Sequence, residues 1–368
     1  MAVVLRNLRC LLSKRPEMMK TLPLCSAMYK SSCKRCVFFS SSMSTESPSE
    51  PKVYITRTVP SPGRELLALH CSVTVWDSDQ AVPRAELLKQ VVGVDALFCL
   101  LTDQIDTEVL DAAGPQLKVV ATMSVGYDHI DLQECKKRNI AVGNTPNVLT
   151  NATAELTVSL LLATSRRLKE GMLAVENGEW GTWKPLWLCG PGLDGATVGI
   201  VGLGRIGMAV AYRLLPFGVS KIVYNNSKRN PSDSLVGAEF VTLDKLLEIS
   251  DYVIACLSLT PATKEVFNAE AFRKMKKSAI FINTSRGGIM NQTDLYNALK
   301  SGEIWAAGLD VTTPEPLPLD SPLLELNNCT VLPHIGSATN KARSTMADLT
   351  AQNILAGLQG KPLPCRVD

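Results

Sequence analysis

Short apolar runs alternate with amphipathic, helix-like segments along most of this chain, starting after a Ser/Pro-rich stretch at 40–51. Four strand-like runs occupy the first half, at 53–56, 73–76, 96–101 and 118–122. Helical patterns at 63–69 and 106–113 lie between some of them. Because strands that alternate with helices pair in parallel, the pattern predicts an α/β fold built on parallel sheets.

A second alternating block starts at Ala196, and its predicted strands are 197–201, 221–224, 252–257, 279–283, 306–310 and 331–332. Asn151 is predicted to cap an apolar helix that runs to about residue 167 and links the two blocks. A further helix at 344–358 closes the chain. We therefore expect two Rossmann-like, doubly wound parallel-sheet domains.

The order of these elements predicts that one domain is discontinuous in sequence. Residues 51–150 and 338–368 are predicted to form one domain, and residues 151–337 a second, Rossmann-type domain inserted into it. Residues 1–50 are predicted to be a leader outside both domains. A chain of 368 residues is long enough for two domains, each with its own core.

Charge is distributed unevenly along the chain. Residues 1–45 carry eight Lys or Arg and one acid, a net +7, whereas the whole chain is +3, so the remainder is −4. The remainder therefore has no excess of basic residues, which argues against a nucleic-acid-binding face. Its longest apolar stretch, 156–163, is far shorter than the ~20 residues that span a bilayer, so no membrane helix is predicted.

The basic, Ser-rich leader allows two interpretations. Its composition is typical of a mitochondrial transit peptide, and equally of a disordered extension that is absent when translation starts at Met43. The expected compartment is therefore the cytoplasm, with the mitochondrial matrix as the alternative. Cys33 and Cys36 lack a second pair of ligands for zinc, so no metal site is predicted, and the seven later cysteines are expected to be reduced thiols.

The strongest local motif is Gly202-Leu-Gly204-Arg-Ile-Gly207, directly after an apolar strand and at the start of a predicted helix. In this context the pattern G-x-G-x-x-G predicts dinucleotide binding. The first glycine allows the tight turn, the second lets a pyrophosphate approach the backbone, and the third allows close helix–strand packing. The helix N-terminus, with Arg205 and Ile206, is expected to stabilise the phosphate charge.

The residues after the next strand predict which dinucleotide is used. NAD enzymes usually place an Asp or Glu here for the ribose 2′-hydroxyl, but this chain has Ser227, Lys228 and Arg229, and no acid before Asp233. Cations at this corner would pair with a 2′-phosphate, so NADPH is predicted as the main cofactor and NADH as a weaker one. The alternative is that the two cations are solvated loop charges.

Three polar residues follow later predicted strands and fit one reaction. Arg286 and His334 come just after two strands, and Glu315 lies in the Pro-rich loop after a third. Since ligands bind at the carboxyl ends of parallel strands, we expect the three side chains to meet. An Arg fork can hold the carboxylate of a 2-oxo acid. A histidine beside a carboxylate can deliver a proton to the alkoxide that hydride transfer forms.

The chain resembles the D-isomer-specific 2-hydroxyacid dehydrogenases over residues 52–364, above all the members that reduce glyoxylate and hydroxypyruvate. The resemblance rests on the motifs above and on Met123-Ser-Val-Gly-Tyr-Asp-His129, Trp183-Lys-Pro-Leu-Trp-Leu-Cys-Gly190 and Ser258-Leu-Thr-Pro-Ala-Thr263. It implies NADPH-dependent reduction of glyoxylate and hydroxypyruvate to glycolate and D-glycerate. It also implies that His334 donates the proton, that Glu315 is its partner and that Arg286 clamps the substrate.

The resemblance implies further contacts as well. The residues implied to bind substrate, besides Arg286 and His334, are Val125, Gly126, Trp183, Asp310, Ile335, Gly336 and Ser337. Those implied to line the cofactor site are Ser258, Thr284 and Gly336. A homodimer is implied in which the aromatic loop 180–187 reaches the active site of the partner. Two alternatives remain open: another D-2-hydroxyacid dehydrogenase, such as a phosphoglycerate dehydrogenase, and a dinucleotide-sensing, corepressor-like binding protein without catalysis.

Overall fold

Two parallel β-sheets organise residues 50–367, which are the part of the chain that the computed structural model describes. The strands are β1 (Lys52–Ile55), β2 (Ser72–Val75), β3 (Ala96–Cys99), β4 (Val119–Thr122), β5 (Ala141–Gly143), β6 (Thr197–Val201), β7 (Lys221–Asn225), β8 (Glu239–Phe240), β9 (Tyr252–Ala255), β10 (Ile280–Asn283), β11 (Ala306–Leu309) and β12 (Cys329–Val331). The first five form one sheet in the order β2-β1-β3-β4-β5, and the other seven form a second in the order β12-β11-β10-β9-β6-β7-β8. The predicted α/β fold with two doubly wound parallel sheets is confirmed.

Helices connect the strands and cover the sheets. They are α1 (Ser61–Ala68), α2 (Arg84–Gln90), α3 (Thr107–Ala113), α4 (Leu132–Lys137), α5 (Thr150–Ser165), α6 (Leu168–Glu176), α7 (Arg205–Leu214), α8 (Leu243–Ile249), α9 (Ala269–Lys274), α10 (Gln292–Ser301) and α11 (Asn340–Leu358). Several begin at a polar side chain that accepts a free backbone N–H of the first turn, as Asp106 does for α3 and Asp131 for α4. Such caps explain why these short helices begin at these residues.

The central strands of both sheets are apolar and fully enclosed. Every residue of β3, β4, β9, β10 and β11 is buried. This burial is expected of parallel strands that have helices on both faces. The polar residues predicted to be functional therefore lie beyond the strands, in the loops that follow their carboxyl ends.

The last helix of the chain packs against the first sheet. Helix α11 contacts β3, β4 and β5 and lies along α1. The contact with α1 is so close that a Cβ on Gly63 would lie 2.4 Å from the carbonyl oxygen of Ala347, so this position requires glycine. The return of α11 to the first sheet supports the discontinuous domain predicted from the sequence, whose boundaries stay a prediction.

One predicted helix start is wrong. Helix α5 begins at Thr150, and its cap position is Leu149, so Asn151 lies inside the first turn and does not cap it. The Asn151 side chain is engaged elsewhere, because its Oδ1 accepts a hydrogen bond of 3.1 Å from Nη2 of Arg213 on α7. Packing between α5 and α7 thus overrides the local capping preference.

Other predictions from the sequence fare differently. The predicted strands all occur, with ends shifted by at most two residues, whereas β5 and β8 were not predicted. Nearly the whole predicted leader, with Cys33 and Cys36, lies outside the described residues. Between residues 50 and 367, no helix combines the length and the apolar character needed to cross a membrane. The seven cysteines in this range are all free thiols, as predicted.

Candidate active site

A cavity of about 380 Å³ lies at the carboxyl ends of strands from both sheets. The first sheet contributes the loop after β4, with Val125, Gly126 and Asp128. The second sheet contributes the starts of the loops after β9, β10 and β11, and the segment around His334 after β12. The arrangement matches the general position of ligand sites in open α/β sheets.

The glycine turn after β6 has the geometry that a dinucleotide pyrophosphate needs. Gly202 has φ +100°, and a Cβ there would lie 2.6 Å from the carbonyl oxygen of Cys256. A Cβ on Gly207 would lie 2.4 Å from the carbonyl oxygen of Gly202, whereas nothing lies within 4 Å of a Cβ on Gly204. The space beside Gly204, at the N-terminus of α7, is thus open to a phosphate. Arg205 and Ile206, in the first turn of that helix, line the cavity.

Two asparagines that the sequence analysis overlooked hold this turn in place. Oδ1 of Asn226 accepts the N–H of Leu203 at 2.6 Å, and Nδ2 of Asn230 donates to the carbonyl oxygen of Leu203 at 2.7 Å. Asn226 follows β7 directly, at the corner where an NAD enzyme usually has its acid. An amide at this corner brings no negative charge toward a ribose 2′-phosphate.

The three polar residues predicted to meet a 2′-phosphate, Ser227, Lys228 and Arg229, are exposed in the loop after β7. Arg229 is partly engaged, since its Nε donates to Oδ2 of Asp233 at 2.8 Å. This hydrogen bond, together with that from Tyr224, lowers the pKa of Asp233. Lys228, unlike Arg229, forms no ion pair with any residue between 50 and 367.

His334 and Glu315 form a hydrogen-bonded pair, with 2.7 Å between Nδ1 and Oε2. The other carboxylate oxygen of Glu315 accepts the N–H of Thr312 at 3.0 Å. Burial opposes the charge of Glu315, but the hydrogen bond and the charge of His334 outweigh burial and lower the pKa of this carboxyl. The ring thus has a negative partner on its Nδ1 side, while His334 also lines the cavity.

A buried carboxylate fixes the turn that carries His334. His334 has φ +53°, which is in the left-handed region that non-glycine residues rarely adopt. Asp310 is fully buried, and its two oxygens accept the N–H groups of Ile335 and Gly336, each at 2.8 Å. These two bonds stabilise a strained turn that would otherwise relax. Asp310 therefore acts on His334 through the backbone.

Arg286 reaches from the second sheet to the loop after β4 of the first. Its Nη1 donates to the carbonyl oxygen of Ser285 at 2.9 Å, and its Nε donates to Oδ1 of Asp128 at 3.1 Å. A Cβ on Gly126 would lie 1.9 Å from Nη2, so the guanidinium lies directly against the backbone of Gly126. Two nitrogens of the guanidinium, Nε and Nη1, are thus hydrogen-bonded within the protein, and the third, Nη2, lies beside Gly126.

The loop after β4 holds three successive carbonyl oxygens against the protein. The oxygen of Ser124 accepts the N–H of Thr145 at 2.9 Å, that of Val125 accepts Nδ2 of Asn144 at 2.7 Å, and that of Gly126 accepts Oγ of Ser124 at 2.5 Å. In a trans peptide the N–H points opposite to the carbonyl. The next N–H in each case, those of residues 125–127, is thereby oriented away from its anchored oxygen, and none of the three has an acceptor among residues 50–367.

Most of the predicted site residues lie in one place. The cavity is lined by Val125, Gly126, Arg205, Ile206, Ser258, Thr284, Arg286, Asp310, His334, Gly336 and Ser337. Glu315 lies behind His334, and Ile335 does not line the cavity. The predicted cofactor residues of the glycine turn and of the loop after β7 are not part of the lining either: Gly202, Gly204, Gly207, Ser227, Lys228 and Arg229. Trp183 is 81% exposed and is also not part of the lining.

Several cavity residues were not predicted as site residues from the sequence, among them the polar residues Asp128, Asn144 and Arg343. Nε of Arg343 is buried without a hydrogen-bond partner among the described residues, and burial lowers the pKa of this guanidinium. Asp128 and His129 belong to the motif 123–129, whose local sequence does not show which residues their side chains contact. Among residues 50–367, no three metal-ligating side chains cluster together.

Comparison with known proteins gives a consistent result. The family model of the D-isomer specific 2-hydroxyacid dehydrogenase NAD binding domain matches residues 158–336. The chain is 56% identical over 316 residues to the glyoxylate reductase/hydroxypyruvate reductase of Homo sapiens, an alignment that covers 85% of this chain and 96% of the relative.

Two solved structures are similar over nearly their whole length. A Thermus thermophilus protein has a TM-score of 0.81 at 43% identity, with 86% of this chain and 100% of the other covered. The NADPH-dependent glyoxylate/hydroxypyruvate reductase of Sinorhizobium meliloti, in complex with NADP and malonate, has a TM-score of 0.76 at 30% identity, with 87% and 97% covered.

Proposed function

Because this chain belongs to the D-isomer specific 2-hydroxyacid dehydrogenase family and is an oxidoreductase acting on 2-hydroxy acids, we propose that it reduces glyoxylate and hydroxypyruvate with NADPH. The products are glycolate and D-glycerate. The observation that carries the proposal is the single cavity that the His334–Glu315 pair, Arg286 and the free N–H groups of the loop after β4 share. The names of the relatives favour these two substrates.

The substrate carboxylate binds at the loop after β4. The N–H groups of Val125 and Gly126 have no acceptor in residues 50–367, and Nη2 of Arg286 lies against Gly126. A carboxylate at this position accepts two backbone N–H bonds and one charge-assisted bond from the guanidinium. These contacts would leave the 2-oxo group free to face His334, which lines the same cavity.

His334 supplies the proton. A reduced nicotinamide dinucleotide, with its pyrophosphate at the glycine turn and the N-terminus of α7, would supply the hydride for the new C–H bond at C2. The carbonyl π electrons then move to oxygen, and the protonated imidazole transfers its Nε2 proton there. Glu315 holds Nδ1 at 2.7 Å, so the ring presents Nε2 to the cavity and its positive charge is stabilised before the transfer.

The preference for NADPH follows from charge at the corner after β7. Asn226 brings no negative charge, and Lys228 is exposed and unpaired within the described residues. A 2′-phosphate placed there meets one free cation and part of a second, Arg229. A ribose 2′-hydroxyl has no acid to bind. The neighbour structure from Sinorhizobium meliloti, which contains NADP, supports the same assignment.

A steady-state assay tests this function. Purified protein is mixed with NADPH or NADH and with glyoxylate, hydroxypyruvate or pyruvate, and loss of nicotinamide absorbance is followed. We expect the first two acids to be turned over with NADPH. Arg286→Ala should lower kcat/KM on the order of 10²–10³-fold, because one charged donor to the substrate is lost. Arg273→Ala, at an exposed position of α9, is the matched control. Absence of turnover with every pair would refute the proposal.

We also propose that the protein acts as a homodimer in which the aromatic loop meets a second copy. Exposed apolar side chains are concentrated on α6 and this loop: Met172 is 64% exposed, Trp183 81% and Leu186 87%. Such a patch is typical of an interface. Light scattering after gel filtration gives the mass, and a dimeric Trp183→Ala variant should show a raised KM for hydroxypyruvate. A monomeric wild type refutes the dimer.

The role of the basic leader distinguishes two compartments. We propose a cytoplasmic enzyme, with the mitochondrial matrix as the alternative that the Arg/Lys-rich residues 1–45 suggest. A reporter fused to residues 1–45 distinguishes the two. A signal confined to the cytosol supports the first and excludes the second.

A further inference from the structure

A line of buried hydrogen bonds leads from a histidine of the first sheet to the proposed carboxylate site. Oγ of Ser124 donates to the carbonyl oxygen of Gly126 at 2.5 Å. Behind it, Oγ1 of Thr122 lies 2.9 Å from Oγ of Ser124 and 3.0 Å from Nε2 of His129. The three side chains are 0%, 3% and 6% exposed for Thr122, Ser124 and His129, so water does not compete for these contacts.

The number of protons fixes the direction of every bond in this line. The carbonyl oxygen can only accept, so the single hydroxyl proton of Ser124 is used on Gly126. Thr122 must then donate its own proton to Ser124. With that proton used, the remaining contact requires Nε2 of His129 to donate to Thr122. The line therefore begins at an imidazole N–H and ends at a peptide carbonyl.

The state of His129 agrees with this direction. Burial lowers the pKa of His129 to about 4, against a smaller upward influence of Asp128 and a further downward one of Arg286. At neutral pH the ring is uncharged and carries one N–H. The hydrogen bonds assign that proton to Nε2, which fixes the tautomer.

We propose that His129 is a positioning residue for the substrate carboxylate, acting through Thr122 and Ser124 on the loop of residues 124–127. This inference rests on the proposed function. Donation from His129 orders the two hydroxyls, so that Ser124 always presents its proton to Gly126. Without that donor, the hydroxyl of Thr122 can donate to residue 129 instead of to Ser124. The hydroxyl of Ser124 is then no longer restricted to donating to the carbonyl oxygen of Gly126.

The expected effect is on binding of the 2-oxo acid. The bond from Ser124 fixes the carbonyl of Gly126, and thereby the loop that carries the N–H groups of Val125 and Gly126. Since these N–H groups would hold the carboxylate both before and during hydride transfer, a looser loop raises KM and leaves kcat nearly unchanged. The glycine turn belongs to the other sheet, after β6, and KM for NADPH should stay constant. A variant with a generally damaged fold would change kcat and KM for NADPH as well as KM for the 2-oxo acid.

A set of matched variants of the full chain tests the role of the proton. His129→Gln keeps an amide N–H three bonds beyond Cβ, where Nε2 stands, whereas His129→Asn places it one bond short. Thr122→Val removes the hydroxyl at nearly constant volume, and Thr350→Val, in a buried position of α11, is its control. We expect KM for glyoxylate to rise about tenfold in His129→Asn and Thr122→Val. His129→Gln and Thr350→Val should stay within about threefold of wild type.

The double variant His129→Asn/Thr122→Val adds a second criterion. If the residues act as one line, its KM equals that of either single variant, whereas independent effects would multiply. For any variant too slow to assay, the Kd of oxalate, an unreactive dicarboxylate, is measured by titrating the NADP complex, and these Kd values are compared between variants in place of KM. Equal effects of Gln and Asn at 129, or multiplying effects in the double variant, would overturn the inference.

The outcome for wild type separates this inference from the proposed function. If wild type reduces no 2-oxo acid, the proposed function fails. If wild type reduces glyoxylate and His129→Asn matches it in KM, only the role of His129 fails.

Discussion

Arg286 and Asp128 form an ion pair across the two sheets, with 3.1 Å between Nε and Oδ1. Arg286 follows β10 of the second sheet, and Asp128 lies in the loop after β4 of the first. The pair is 158 residues apart in sequence, and both side chains are about one-fifth to one-third exposed at the cavity. It holds the guanidinium beside Gly126, where the proposed substrate carboxylate binds.

Removing the acid should loosen the arginine. Asp128→Ala is expected to raise KM for glyoxylate about three- to tenfold, since a charge-assisted bond that orients Arg286 is lost. Asp128→Asn keeps an accepting oxygen and should have a smaller effect. Steady-state kinetics with Asp79→Asn, at an exposed position, as the control measures this. A lower KM in both variants would mean that Asp128 competes with the substrate.

A side chain at Gly126 should displace the same arginine. In Gly126→Ala the new Cβ would lie 1.9 Å from Nη2, closer than atoms can approach, so the guanidinium must move. We expect kcat/KM to fall about 10²-fold, as for a misplacement of roughly 1 Å. Gly192→Ala, where nothing lies within 4 Å, is the matched control. Unchanged kinetics in Gly126→Ala would remove Arg286 from the site.

Asp310 should matter for both stability and turnover. In Asp310→Asn only one oxygen remains for the two N–H groups of Ile335 and Gly336, and the amide NH₂ faces a donor. We expect a loss of about 1–3 kcal/mol in the free energy of unfolding, because a buried donor is left unpaired. The turn with φ +53° at His334 then relaxes, and kcat falls more than KM changes. Denaturant titration and kinetics check the two effects separately.

His129 predicts a pH dependence of stability. Its pKa in the folded protein is about 4, below the 6.5 of an unfolded chain, so the unfolded state binds more protons between these values. Stability therefore rises with pH through this window and is lost as pH falls from 6.5 toward 4, by up to about 3 kcal/mol. His129→Gln should lack this loss, and the exposed variant His70→Gln should keep it. Parallel curves for wild type and His129→Gln would contradict the burial argument.

The cofactor preference should depend on Lys228. Lys228→Ala removes the unpaired cation after β7, and KM for NADPH is expected to rise about fivefold while KM for NADH stays constant. Lys277→Ala, another exposed lysine, is the control. An equal rise for both dinucleotides, or none, would show that the charge at 228 is merely solvated.

Local patterns were enough for several features of this protein. The alternation of apolar runs predicted the parallel sheets, because strands with helices on both faces must be apolar throughout. Gly202, Gly204 and Gly207 could be assigned because their spacing directly after an apolar strand is itself the signal. The structure adds that Gly202 and Gly207 have no room for a Cβ, whereas Gly204 faces open space. Arg286 and His334 could be chosen because residues after parallel strands share one edge of a sheet.

Other features needed contacts between distant parts of the chain. The cap predicted at Asn151 was wrong, and the side chain of Asn151 instead accepts a hydrogen bond from Arg213 of α7. Asp128 could not be paired with Arg286, and His129 could not be ranked above His70, since neither local pattern contains the burial or the partner. The fate of Trp183 depends on a second copy and stays a prediction.

The amino-acid sequence by itself determined the fold class, the glycine turn and the residue types available for the chemistry, because these depend on short-range spacing and on periodicity. Only the tertiary structure decided which of these residues meet and how Asp310 and Asp128 hold His334 and Arg286. It also decided which ring nitrogen of His129 carries the proton. Those relationships depend on distances of about 3 Å between atoms of residues far apart in the chain, and on burial that only the packed sheets and helices create.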